Sequence, residues 1–110
     1  MPNNYKNALL GLTTTGVTTL YTCPGATTAL VKSILVSEDS GNADTITVTI
    51  TDADAAVFSI FKVKAVASNT TVELLSEPLV VTENQVVKVT AATANRLHVV
   101  ASLCSLTYLQ

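Results

Sequence analysis

The stretch Thr45-Ile46-Thr47-Val48-Thr49-Ile50-Thr51 decides the fold of this chain. Its apolar side chains occur at every second residue with threonines between them, which is the period of a β-strand that buries one face. Threonine and the β-branched apolar residues also fit the pleated surface of a sheet better than a helix. The stretch therefore predicts a strand with Ile46, Val48 and Ile50 in the core and hydroxyl groups on the opposite face.

The same alternation recurs along the chain between turn-forming residues. From residue 17 onward it predicts strands at 17–23, 28–37, 45–51, 57–66, 71–75, 79–82, 86–92 and 97–108, separated by segments that contain Gly, Pro, Asn, Asp or Ser. Short strands with turn signals about every 8 to 12 residues are typical of an all-β sandwich or small barrel. We predict one domain over residues 17–110, an antiparallel β-sandwich of about eight strands and jelly-roll type. The predicted core contains Ile46, Val48, Ile50, Val72, Leu74, Val87, Val89, Val99 and Ala101.

Residues 1–16 show no sustained period. We predict that they form an N-terminal arm, which is ordered by a partner surface or by docking onto the domain. Leu9, Leu10 and Leu12 are poorly suited to a free tail because a free tail would leave them in water. We therefore predict that these three leucines form an interface with a neighbouring subunit.

Two of the predicted strands are apolar on both faces. In the strand at 28–37, Leu30, Ile34 and Val36 alternate with Val31 and Leu35, and the strand at 57–66 has a similar pattern. Two explanations remain open at this point. Either loops or the arm of the same chain cover the second face, or a second subunit covers it.

The composition limits the classes of partner. The chain has 110 residues, a net charge of -2 and only 13% charged residues, against about 25% in a typical domain. Without a basic field, nucleic acid and anionic membranes are not expected as direct partners. Hydrophobic residues make up 48% of the chain, so part of the surface must be apolar. Such a surface is typical of a protein that its neighbours cover.

Neither the N-terminus nor the cysteines suggest export or a disulfide framework. The first residues lack a basic region, and the apolar run at 8–12 is too short for a signal sequence or a membrane span. We therefore expect synthesis in a reducing compartment, with Cys23 and Cys104 as free, buried thiols.

The candidates for chemistry do not form a recognisable motif. His98 is the single histidine, and no family signature surrounds Cys23 or Cys104, so a cysteine–histidine enzyme is a minor hypothesis. Asp52, Asp54 and the acidic turn at 38–39 offer oxygen ligands, but the glycine and the distal glutamate of an EF-hand loop are missing. We predict no catalytic residue, no metal site and no cofactor.

Sugar recognition is a further minor hypothesis. Sugar-binding sandwiches usually present exposed aromatic platforms, and this chain has no tryptophan. Phe58 and Phe61 lie in a strand pattern and are interpreted as core residues. A carbohydrate-binding or host-binding module would require an exposed aromatic cluster or a long loop, and every predicted loop is short.

The stretches Thr19-Leu20-Tyr21-Thr22-Cys23-Pro24, 28–36 and 45–52 resemble small virion proteins of tailed bacteriophages. The likeness continues through 73–75, 86–91 and 97–102 and covers about residues 17–108. It consists of strand and turn preferences, and it transfers no functional residues to this chain.

The resemblance implies a structural component of a phage particle. We expect first a capsid decoration (cement) protein that stabilises the head lattice, and as an alternative a neck, tail or fibre-base component. The expected partners are further copies of the chain, as a homotrimer, and the major capsid protein or other virion proteins. The expected location is the virion, after synthesis in the host cytoplasm.

Overall fold

The computed structural model describes residues 3–107, and this part of the chain folds into two antiparallel sheets packed face to face. The prediction of an all-β sandwich is confirmed. No helix that could span a membrane is present in residues 3–107. The strands are β1 (Asn3–Gly11), β2 (Thr18–Thr22), β3 (Thr27–Glu38), β4 (Asp44–Thr51), β5 (Val57–Val66), β6 (Thr71–Glu73), β7 (Leu79–Val81), β8 (Val86–Ala91) and β9 (Leu97–Thr107).

The order of the strands is that of a jelly roll. Sheet A has the order β1-β9-β3-β6, with β7 also paired to β3, and sheet B has the order β2-β8-β4-β5. The first strand pairs with the last, β2 with β8, β3 with β6 and β7, and β4 with β5. This nested pairing is the jelly-roll topology, with β6 and β7 sharing the place of one strand.

The core lies between the inner faces of the two sheets. Most of the predicted core residues are buried there, namely Ile46, Val48, Leu74, Val87, Val89, Val99 and Ala101. Ile50 and Val72 are only partly buried and pack against the edge of this core, which corrects their prediction as fully buried. Ile50 pairs with the edge strand β5, and Val72 lies in the short edge strand β6.

The segment predicted as an arm outside the sandwich is the first strand of the jelly roll. β1 pairs with β9 along its whole length, from Asn3 opposite Leu106 to Gly11 opposite His98. Leu12 continues this ladder, donates its N–H to the Leu97 carbonyl at 3.0 Å and is 2% exposed. Burial of Leu12 in its own chain corrects its prediction as a partner contact. Leu10 packs partly against the core, whereas Leu9 is 69% exposed.

A β-bulge in β3 changes which side chains face the core. The register against β9 shifts between Val31 and Ser33, so that Lys32 is an extra residue. Val31 on one side of the bulge and Ile34 on the other therefore both point inward, and Leu30 and Leu35 both point outward. The sequence pattern had placed Leu30 on the same face as Ile34, and the bulge shows that this assignment was wrong.

Candidate interaction surfaces

The two cysteines are free and buried, as predicted. Cys23 donates its Sγ hydrogen to the Thr27 carbonyl at 3.3 Å. Burial raises the pKa of the Cys23 thiol, so this thiol is protonated near neutral pH and lacks the thiolate character of a nucleophile. Cys104 lies on β9 opposite Tyr5 of β1 and Leu30 of β3, and it is also buried.

His98 lies on the exposed side of β9 and interacts with one carboxylate. Its Nδ1 is 3.5 Å from Asp39 Oδ1, and both side chains are more than half exposed. Ser37 is the cross-strand neighbour of His98 on β3, which places a serine, a histidine and an aspartate close together. The histidine ring, however, lies over Gly11 of β1, and no hydrogen bond joins Ser37 to His98 in the described residues. The proximity of Asp39 to His98 could not be predicted from sequence spacing, because the pairing of β3 with β9 brings the two residues together.

Asp52, which was considered as a possible oxygen ligand, stabilises a turn. Asp52 Oδ1 accepts the backbone N–H groups of Asp54 and Ala56 at 2.8 and 3.0 Å, which is an Asx turn. Asp54 is exposed on the same turn. The described residues contain no cluster of three or more His, Cys, Asp or Glu side chains with metal-binding geometry.

Glu38 is a buried carboxylate that organises the loop after β3. Its Oε1 accepts the N–H groups of Gly41, Asn42 and Asn69, and its Oε2 accepts the N–H and the hydroxyl of Ser40. Burial alone would raise the pKa of Glu38, but these hydrogen bonds stabilise the charged form and lower the pKa to about 2. Both oxygens of Glu38 therefore already have partners within the chain.

An apolar groove lies where the end of β5 approaches β6 and the start of β4. Thr45, Lys64, Val66 and Val72 are among the residues that line it. Small-molecule sites usually combine an apolar pocket with several polar groups that point inward. The side chain of Asp44, at the rim, is occupied by the N–H of Thr93 at 3.0 Å. The groove therefore has few free polar groups to orient a ligand.

The outer face of sheet A is a more extensive candidate surface. We define it by two rows of residues that cross the sheet and point away from the core. One row is Leu9–Val100–Leu35, and the other is Tyr5–Cys104–Leu30–Val80. Tyr5 is 72% exposed, Val80 is 54% exposed and Leu35 is 36% exposed. Within the described residues, these three side chains therefore remain partly or largely exposed on the second face of the sheet.

Polar groups divide the outer face of sheet A between the two rows. Asn7, Ser102 and Ser33 form the intermediate row. The Glu73 carboxylate accepts the Ser33 hydroxyl, the Ile34 N–H at 2.9 Å and the Leu75 N–H at 3.1 Å. Lys32, the extra residue of the bulge, places its Nζ 5.6 Å from the centre of the Tyr5 ring. The Ser33 hydroxyl and the Glu73 carboxylate are therefore bonded within the chain itself.

The outer face of sheet B has a different chemistry. Thr45, Thr47, Thr49 and Thr51 of β4 point outward, and their cross-strand partners on β8 include Lys88 and Thr90. Val57 and Val86 are apolar residues at one end of this face. Hydroxyl and ammonium groups interact well with water, so the middle of this face, at Thr49 and Lys88, is suited to a solvated surface, whereas the Thr51 hydroxyl is buried.

The edge strand β5 exposes several apolar side chains. Phe58 is 55% exposed, which corrects its prediction as a core residue, whereas Phe61 packs partly against the core. Phe58 pairs with Ile50 on the inner side of sheet B, but an edge strand is only partly covered by the opposite sheet. Among the described aromatic residues, Tyr5 and Phe58 are the highly exposed ones, and they lie on edge strands of different sheets. These two rings do not form an aromatic platform.

Comparison with known proteins identifies no family for this chain. No protein-family model matches the sequence, and no curated protein matches it.

Proposed function

We propose that this protein is a structural component of a tailed-phage particle, in the first place a capsid decoration (cement) protein that stabilises the head lattice. Its copies associate as a homotrimer and bind the major capsid protein. The observation that supports this proposal is the outer face of sheet A, where Tyr5, Leu9, Leu35 and Val80 of three strands are exposed in two rows on either side of a polar row. Apolar side chains that are exposed together on one face often mark interaction sites.

The gain expected from burial is comparable with the cost of association. Full burial of a large apolar side chain contributes roughly 1.5 to 3 kcal/mol, and Tyr5, Leu9, Leu35 and Val80 each expose part of their surface on this face. Association costs about 4 to 15 kcal/mol in translational and rotational freedom, with a further cost for the ordering of side chains. One face therefore supports at most a reversible contact, and repeated contacts in a lattice make the attachment durable.

The arrangement of the reactive side chains supports a role without turnover. His98 and Asp39 are exposed without a nucleophile bonded to them, and the Cys23 thiol is protonated. Glu38 and Asp52 are occupied by backbone donors. A building block requires none of these groups to react, and the low net charge of -2 permits copies to pack closely.

Electron microscopy of the source particles with gold-labelled antibody tests the location of the protein. Labelling over the whole head is the expected result. Labelling at the neck, tail or fibre base would replace the decoration role by the alternative structural role, and absence of the protein from purified particles would contradict both.

The mass of the purified protein in solution gives a second test. Light scattering is expected to show a trimer, because decoration proteins at local three-fold positions require that symmetry. A larger ring would favour a neck or tail component. A protein that is monomeric at all concentrations and absent from particles would exclude the virion proposal.

A further inference from the structure

The four edges of the two sheets are not equally protected. Natural proteins interrupt exposed edge strands with bulges, charges, proline or short length, because an open edge pairs with other chains. β2 has five residues and a register shift, and β6 and β7 have three residues each with Pro78 between them. β1 has nine residues and pairs with β9 without any shift of register.

β5 shows how strongly one of these edges is interrupted. Its register against β4 shifts twice, between the partners of Ile46 and Val48 and again between those of Val48 and Thr49. Val63 lies in this irregular part with a φ of 53°, and its N–H is bonded to the Thr47 hydroxyl at 3.0 Å. A valine with positive φ is an outlier that twists the strand locally. In the residues that the structure describes, β1 has no register shift and no positive φ, and its one charged residue is Lys6.

The free hydrogen-bonding groups of β1 can be assigned from its ladder. Leu12 donates its N–H to Leu97, the residue directly opposite in the continued register. Hydrogen-bonded pairs alternate along an antiparallel ladder, so the even-numbered residues of β1 bond to β9. Tyr5, Asn7 and Leu9 therefore direct their N–H and C=O groups to the open edge, and no hydrogen bond of the described residues uses these N–H groups.

We infer that β1 pairs antiparallel with β1 of a second copy of this chain, about a two-fold axis that passes through Asn7. This inference goes beyond the proposed function and concerns a second contact between copies of the purified chain, which forms at protein concentrations above those at which the trimer is measured. It joins two A sheets into one continuous sheet, and it joins their two outer faces into one larger apolar surface. A two-fold contact of this kind is compatible with a trimer, because it can link neighbouring trimers in a lattice.

The sequence of β1 is self-complementary in this register. With Asn7 opposite itself, Tyr5 lies opposite Leu9 of the second copy on the outer face, and Lys6 lies opposite Ala8. Aromatic–aliphatic cross-strand pairs stabilise sheets, whereas like charges directly opposite each other destabilise them. Both Tyr5 and Leu9 are highly exposed in the single chain. The two-fold axis produces two Tyr5–Leu9 pairs, so these side chains are covered in both copies.

The neighbouring registers are less favourable. Opposite residues point to the same face, so an outward residue of β1 must stay opposite another outward residue. The nearest alternative registers therefore move the two-fold axis by one residue, from Asn7 to Lys6 or to Ala8. A shift towards the N-terminus places Lys6 opposite Lys6 of the second copy. A shift in the other direction places Leu9 opposite Asn7 and Tyr5 opposite Gly11, so both apolar pairs are lost. The register centred on Asn7 also uses the whole of β1, with about ten ladder hydrogen bonds.

A disulfide cross-link tests both the contact and its register. Asn7→Cys is introduced into full-length protein that carries Cys23→Ala and Cys104→Ala, because Cys104 is otherwise close to β1. Opposite residues of a hydrogen-bonded pair have Cα atoms about 5.5 Å apart, within the roughly 4.4 to 6.8 Å that a disulfide spans. Mild oxidation is expected to convert most of the protein to a covalent dimer. Ser59→Cys, an exposed position in the middle of β5, is the matched control and is expected to give at least tenfold less dimer.

Further variants make the result decisive. Tyr5→Cys and Leu9→Cys proteins are expected to cross-link mainly when mixed with each other, because each faces the other in this register. Asn7→Pro removes an N–H that points to the open edge without breaking the ladder with β9. The Asn7→Pro protein is expected to have the same circular dichroism as the parent, which shows that it is folded. Its dimer formation is expected to be at least tenfold weaker. The inference would be overturned if Asn7→Cys and Ser59→Cys cross-linked equally, or if a folded Asn7→Pro protein associated as well as the parent. A dimer in solution without any protein on particles would leave the inference intact and remove only the virion role.

Discussion

The outer faces of the two sheets differ although their inner faces are alike. Both inner faces consist of β-branched and small apolar residues, such as Ile34 and Val99 in sheet A and Val48 and Val89 in sheet B. On the outer face of sheet B, threonine occupies every outward position of β4. On the outer face of sheet A, leucine and valine occupy part of the corresponding positions, with a polar row between them. Threonine and valine form strands equally well, so the difference reflects what covers each face and not the needs of the strands.

Under the proposed function, a protein neighbour covers the outer face of sheet A and water covers the threonine face of β4, although β5 of sheet B also exposes Val57, Phe58 and Val63. Apolar side chains in water give no stability to the isolated chain, and an exposed apolar face increases the risk of aggregation. The bulge at Lys32 sets these directions within β3, because beyond it Ile34 points into the core and Leu35 points outward. The predictions below test this assignment, from the largest expected effect to the smallest.

The largest effect is expected from a charge on the inner side of β4. Val48→Asp places an unpaired carboxylate at a fully buried position, which costs several kcal/mol out of a total stability of roughly 5 to 15 kcal/mol. Loss of the folded state in far-UV circular dichroism is the expected result. Thr49→Asp is the control, because its side chain lies on the outer face opposite Lys88. It should cost no more than about 1 kcal/mol, and unfolding of this control would show that the outer face of sheet B is not solvated.

The second prediction separates core from surface within the N-terminal segment. Leu12→Ala removes a buried side chain and should lower the free energy of unfolding by about 2 to 5 kcal/mol. Leu9→Ala changes an exposed residue and should alter it by no more than about 0.5 kcal/mol. Urea denaturation measures both values. A deletion of residues 1–16 is accordingly expected to destabilise the sandwich, because it removes both β1 and Leu12. Equal stability of the two leucine variants would contradict the burial of Leu12 and would favour the first prediction, an arm outside the sandwich.

The sequence predicted the sheets better than it predicted their faces. The strands β3, β4, β5, β8 and β9 were located because their apolar residues alternate between clear turns. β1 was missed because Leu9 interrupts the alternation of Ala8 and Leu10, and because it pairs with β9 at the far end of the chain. The bulge at Lys32 and the exposure of Phe58 depend on how strands pair and which strand lies at an edge. A single sequence contains no local signal for either.

The third prediction concerns the loop that follows β3 in sheet A. The pKa of Glu38 in the folded protein, about 2, is lower than its ordinary value of 4.5. A lowered pKa means that the ionised form stabilises the fold above the ordinary pKa, and that this contribution is lost as the pH falls towards about 2. Glu38→Gln should therefore reduce the melting temperature most at neutral pH, and the difference from the parent should decrease between about pH 4.5 and 2.

The control for this pH dependence is Glu77→Gln, which changes an exposed carboxylate in the turn between β6 and β7. Its melting temperature should follow that of the parent at every pH. A constant difference between the Glu38→Gln protein and the parent from pH 7 to pH 2 would show that the Glu38 side chain stabilises the loop by its shape and not by its charge.

The smallest effect on stability is expected on the outer faces, and it tests the comparison most directly. Leu35→Lys places a charge in the apolar row of sheet A, and Thr45→Lys places the same charge on the outer face of sheet B. Both lysine side chains can extend their ends into water, so the free energy of unfolding of each variant should lie within about 1 kcal/mol of that of the parent.

Association of the two variants should differ, because burial of a lysine without a partner is costly. We expect Leu35→Lys to weaken self-association measured by light scattering at least tenfold, which corresponds to about 1.4 kcal/mol, while Thr45→Lys leaves it unchanged. The opposite result would assign the neighbour to sheet B, and equal loss in both variants would mean that net charge rather than the identity of the face controls association.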